Sequence, residues 1–132
     1  MSFSGDIKKW SEMTEKRTLI VFKKIAFDVS RAVIIRTPVD TGRARANWLP
    51  SINKFSDSVS DDRDKSGSSA ISAAQAEASR VDIGDKFTLA NNLPYIQKLE
   101  NGSSDQAPAG MLSISVAEYQ QIARKAIREA RK

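Results

Sequence analysis

Between Trp10 and Arg36, apolar residues recur at spacings of three and four, first at Trp10 and Met13 and then at Phe22, Ile25, Val29, Ala32 and Val33. That period marks one face of a long amphipathic helix. Pro38 pushes Thr37 out of the helical region, so the helix is expected to stop near Arg36. The β-branched run Val33-Ile34-Ile35 lowers helix propensity but suits a buried last turn. Pro38-Val39-Asp40-Thr41-Gly42 then reads as a tight connection in which proline fixes one dihedral, Asp40 accepts backbone N–H bonds and Gly42 supplies a permissive conformation. Beyond it, Ala44, Ala46 and Trp48 alternate with Arg45 and Asn47, the period of two that predicts a strand with one buried face, continuing to Ile52.

Residues 53–69 hold almost nothing that can be buried, so they are expected to form a mobile, solvated loop within the domain. Asp57, Asp61, Asp62 and Asp64 invite a calcium-loop reading, but the turn glycine and closing glutamate of that motif are missing. Ala70 to Arg80 carries good helix formers and predicts a short helix. Phe87 and Leu89, alternating with Thr88, predict a second strand leading into Asn91-Asn92. Pro94 to Glu100 reads as another short helix with Gly102 as its stop, and Tyr95 and Leu99, four apart, are expected to face the core together. From Met111 onward, Leu112, Val116, Tyr119, Ala123, Ala126 or Ile127 and Ala130 describe a closing amphipathic helix. The expected class is α+β: a long N-terminal helix, a small antiparallel sheet, short helices and an amphipathic C-terminal helix in one domain spanning 1–132.

Composition narrows the chemistry. A chain of 132 residues supports one core. With no cysteine and no histidine it has no disulfide framework, no thiolate nucleophile, no imidazole base and no imidazole metal ligand. Neither metal nor cofactor is expected. The longest apolar runs, Thr18 to Phe22 and Ala32 to Ile35, fall far short of the roughly 20 residues that span a bilayer, so a soluble cytoplasmic product is expected.

The formal charge of +5 is unevenly spread: residues 1–36 carry 8 basic and 4 acidic side chains, residues 55–69 carry 2 and 4, and residues 118–132 carry 5 and 2. Basic ends raise the alternative of a small DNA-binding protein, although no recognition element or aromatic–basic interleaving accompanies them. Arg43, Arg45, Arg124, Lys125, Arg128, Arg131 and Lys132 are the candidates to line an interface or channel. For the last five, an ordinary solvated helix end favoured by the helix dipole is the competing explanation. Trp10 and Trp48 read as core residues before interface anchors. Asp40 and Glu100 are the one carboxylate pair that a hydrolase reading would use. The structural alternative makes Asp40 a turn cap and Glu100 an ion-pair partner of Arg43 or Arg45.

Two segments stand out together: Thr37-Pro38-x-Asp40-Thr41-Gly42-Arg43-x-Arg45 after the long helix, and Asn91/Asn92-x-Pro94-Tyr95-x-x-x-Leu99-Glu100-x-Gly102. In this order they resemble the small tail-component and tail-completion proteins of long-tailed bacteriophages, which sit at the neck where head and tail join. The resemblance spans roughly residues 10–130, with Ile96 standing where many of those proteins have alanine. It implies a structural virion protein without catalysis. Such a subunit joins a ring, often a hexamer, at the top of the tail, beside tail-terminator, tail-tube or head-connector proteins. Pro38, Asp40, Thr41, Gly42, Tyr95, Glu100 and Gly102 are then fold-defining residues, and contact with genomic DNA passing through the channel falls to the basic side chains.

Overall fold

A computed structural model describes residues 3–107 and 110–130, and, of these, all side chains except those of 3–13, 113, 116, 119, 120, 122, 126 and 130. The order of elements is α1 (Phe3–Arg36), α2 (Arg43–Ala46), β1 (Leu49–Ile52), α3 (Ser68–Ala78), β2 (Phe87–Ala90), α4 (Ile96–Glu100), α5 (Leu112–Ala117) and α6 (Tyr119–Ala130). The strands pair antiparallel with Leu49 opposite Ala90 and Ile52 opposite Phe87. This is the expected α+β class, with the long first helix ending at Arg36 as the proline dictates.

The core forms where α1 meets α3 beneath Trp48. Val33, Ile34, Trp48, Ala70, Ala74, Ala107 and Met111 are buried together, with Val29, Ile71, Leu89, Ile96 and Leu99 packed around them. Ala70, Ala74 and Ala78 recur every fourth residue on the buried face of α3, and their small size lets that helix approach its neighbours closely. On another side α6 runs antiparallel to α1. Arg36 reaches Glu118 at 2.6 Å and Lys24 reaches Glu129 at 2.9 Å, so the helices are strapped at both ends of their overlap.

The Nζ–Glu129 hydrogen bond, helped by Asp28 and opposed by partial burial, raises Lys24 above its ordinary pKa of 10.5. A raised cationic pKa stabilises the fold fully below 10.5 and ceases to do so as the pH climbs through the folded value. Because both side chains are partly exposed the pair is worth no more than about 1 kcal/mol. The stability difference between the protein and Lys24→Met, measured by urea titration, should therefore stay level from neutral pH to about pH 9 and shrink above 10.5.

Several sequence expectations need correction. Residues 43–46 are not the start of a strand but the single helical turn α2, and the strand begins only at Leu49. Asn47, expected on the exposed face of that strand, is wholly buried. The C-terminal helix is two, α5 and α6, interrupted at Glu118, whose carboxylate is engaged by Arg36. Tyr95 does not enter the core: it is 38 % exposed, while Leu99 packs against the cluster. The segment between β1 and α3 has no regular secondary structure and mostly exposed side chains, as expected of a loop, and its backbone makes hydrogen bonds at Ser56, Ser58, Ser60 and Asp64. Side chains of Trp10, Arg131 and Lys132 lie outside the described residues. No helix among the described residues is long and apolar enough to cross a membrane.

Candidate functional site

The two distinctive segments meet. Pro38, Val39, Asp40, Thr41, Gly42, Arg43 and Ala44 form one wall of a hollow of about 270 Å³, and Tyr95, Leu99, Ser104 and Gln106 form the other. Three side-chain links close the seam. Gln106 Nε2 donates to the Val39 carbonyl at 2.9 Å while its Oε1 accepts from the Val39 N–H at 2.8 Å, reproducing a strand-like pair with a single side chain. Asn91 Nδ2 donates to the Ala44 carbonyl at 2.9 Å. Met111, nine residues beyond the second segment, packs in the same buried cluster as Trp48.

Within the first segment, every polar side chain but that of Asp40 bonds to the backbone. Thr37 Oγ1 donates to the Val33 carbonyl at 2.8 Å and accepts the Trp48 indole N–H at 2.8 Å, joining the end of α1 to the start of the sheet. Arg45 donates from Nε to Thr37 O, from Nη2 to Ile35 O and from Nη1 to Lys65 O, all within 2.9 Å. A cation facing the last carbonyls of α1 complements the negative end of the helix dipole. Arg43 donates to Ser60 O and pairs with Asp61 at 3.2 Å. Asn47 accepts Ser60 N–H at 2.8 Å and donates to Ser60 O at 3.0 Å, clamping the long loop. That residue was missed as a binding element because its partner is 13 positions away and is a backbone group.

The acidic residues take different parts from those expected. Thr41, not Asp40, caps the turn, its Oγ1 accepting Arg43 N–H at 3.2 Å. Asp40 is exposed at the hollow's rim. Glu100 does not pair with Arg43 or Arg45, whose guanidinium groups are engaged elsewhere; its Oε2 accepts N–H from Met111 and Leu112 at 3.0 and 2.9 Å and so caps α5. Asp64 caps α3, accepting from Gly67 and Ala70, both at 3.1 Å, which gives that aspartate a local structural task rather than the calcium-ligand role considered above. Among the described residues no three His, Cys, Asp or Glu side chains converge to hold a metal ion. Gly102 ends α4 with φ +86°, and the Ser103 N–H reaches back to the Lys98 carbonyl at 3.1 Å, as a helix stop should.

Arg124, Lys125 and Arg128 are exposed on α6 and take no part in this seam. The candidate residues thus separate into a hydrogen-bonded joint, made by the two motifs, and a basic helix face apart from it.

The joint's dependence on a forked cation predicts that Arg45→Lys is not conservative. An ammonium cannot hold the three divergent carbonyls that the guanidinium reaches, and the substitution should cost about 2 kcal/mol, mostly from acceptors left without a donor. Urea unfolding followed by tryptophan fluorescence measures this, and a loss below about 0.5 kcal/mol would show that water replaces the fork.

No protein-family model, no curated protein and no solved structure matches the chain.

Proposed function

We propose that this protein is a structural subunit of a bacteriophage neck or tail top, assembling as a ring that completes the tail and joins it to the head connector. The observation that carries the reading is how the two motifs spend their polar groups. Thr37, Thr41, Arg43, Arg45, Asn91 and Glu100, with Asn47 and Gln106 just beyond the motifs, are all engaged in holding backbone. Residues used this way specify a shape; a reaction centre needs polar groups aimed at a substrate. Asp40 and Glu100, the carboxylates a hydrolase would need, have separate surroundings: one is exposed at the rim and the other caps a helix.

In this reading the subunit performs no catalysis, and its partners are its own copies together with tail-terminator, tail-tube or head-connector proteins. The exposed Arg124, Lys125 and Arg128 face either an acidic neighbour or the DNA in the channel. The basic helix face also favours one second reading, a monomeric DNA-binding protein, and the two separate on salt. Phosphate neutralisation weakens steeply as salt rises, whereas packed subunit interfaces do not. Light scattering on nuclease-treated protein, across concentration at low and high salt, should give a discrete multiple of the 14.5 kDa chain at both. A monomer that takes up DNA only at low salt would replace this function with the DNA-binding one.

A further inference from the structure

α1 is longer than the body it belongs to. Its 34 residues extend about 51 Å at ~1.5 Å per residue, whereas a compact 132-residue domain is only about 36 Å across for a radius of gyration near 14 Å. The straps show where the excess lies. Glu129, near the end of α6, pairs with Lys24, so the α6 layer ends about there and the turns of α1 that precede Lys24 run on past it.

Along the same helix, from Thr18 to Val33, runs a hollow of about 710 Å³ that is open to solvent. Val21, Phe22, Ile25 and Val29 of α1 make one wall, and Phe87 and Leu89 of β2 make much of the other. Asp85 and Lys86 are the charged residues of its lining. Exposed apolar surface of this extent is the kind that marks an interaction site.

The sequence supplies a matching ligand. Nearer the N-terminus, beyond the polar Thr14 and Thr18, Phe3, Ile7 and Trp10 recur four and three apart, in the same helical phase as Val21 and Ile25. Lys8, Lys9, Glu12, Lys16 and Arg17 fall between these apolar positions, the composition of an amphipathic helix that needs an apolar surface to rest on. We infer that the groove between α1 and β2 is the seat for the N-terminal turns of α1 from a second copy of this chain. This is a helix-in-groove contact read by anchors three and four residues apart. The inference rests on the self-assembly proposed above and names the surface through which it occurs. A contact joining one surface to a different surface propagates head to tail, which is the kind of interface that closes rings.

Two full-length variants test it: Ile7→Glu/Trp10→Glu, which spoils the inserting segment, and Val21→Glu, which places a carboxylate in the groove. A buried, unpaired charge should weaken association about 100-fold or more in each. Sedimentation velocity should then show both as monomers with circular-dichroism melts like that of the unmodified chain. Mixed together, they should recover a species of about twice the 14.5 kDa chain, since one intact segment still meets one intact groove. If the mixture stays monomeric while the unmodified chain assembles, or if either variant assembles normally, the groove assignment is wrong and the ring reading stands on another surface. A chain that is monomeric without any substitution overturns the groove and the self-assembling ring together.

Discussion

Alanine at position 42 is expected to cost about 3–5 kcal/mol of folding stability, a large part of the roughly 5–15 kcal/mol that holds a domain together. Gly42 has φ +88°, a left-handed conformation that charges an L side chain about 1–2 kcal/mol by itself. The greater part comes from crowding. A Cβ there would stand 2.5 Å from Lys65 N and 2.7 Å from the backbone N and C of Asp64, and backbone cannot rotate aside as a flexible side chain does. Gly42 O also accepts the N–H groups of Ala46 and Asp64 at 3.1 and 3.0 Å, so the same residue closes α2 and ties down the loop. Moving residues 64–65 would pull the Asp64 cap from α3 and the Lys65 carbonyl from Arg45. Gly84→Ala is the matched control. Its φ is also +88° but nothing lies within 4 Å of the added carbon, so it should lose only the conformational share, about 1–2 kcal/mol. Urea midpoints of the two variants decide the matter, with equal losses showing that residues 64–65 do not press on Gly42. Amide exchange should add that α3 loses protection in the first variant and keeps it in the second.

The same turn shows what could be read from the chain beforehand and what could not. Long, strongly periodic stretches were legible: α1 with its proline-dictated end, α3 from its helix-forming composition, and β2 from the alternation around Thr88. Residues 43–46 were misread because four residues of alternating Arg and Ala satisfy a period of two as easily as one helical turn. Asp40-Thr41-Gly42 just before them was a helix-start signal, and it should have outweighed so short an alternation. Both motif segments stood out in the chain, but not how they join. Gln106 meets the backbone of Val39 across 67 positions, Asn47 meets that of Ser60 across 13, and Glu100 meets that of Met111 across 11. A backbone partner leaves no signature in its own residue type, so side chain-to-backbone joints are the hardest contacts to foresee. Charge complementarity favoured a Glu100–arginine pair instead, and it failed because Arg43 and Arg45 had carbonyl acceptors within closer reach.

Replacing Trp48 should have an effect as large as that of Gly42, through packing rather than backbone. The indole is only 3 % exposed and lies in the cluster with Val33, Ile34, Ala70, Ala74 and Met111, a core to which both α1 and α3 contribute. Trp48→Ala should cost about 3–5 kcal/mol, the usual range for removing a buried aromatic and leaving a cavity. Trp48→Phe separates the hydrogen bond from the bulk. It retains much of the apolar contact but removes the donor from Thr37 Oγ1, whose own proton is already committed to the Val33 carbonyl. That loss is about 1–2 kcal/mol, the penalty for a buried acceptor left unmatched. Thr37→Val makes the reciprocal change, leaving the indole N–H without its acceptor at a similar cost. Combining Trp48→Phe with Thr37→Val removes both ends of the bond at once, so the double variant should be less destabilised than the sum of the singles by at least about 0.5 kcal/mol. Strict additivity would mean that the indole N–H and the threonine hydroxyl are not coupled, and that the end of α1 is joined to the sheet by packing alone.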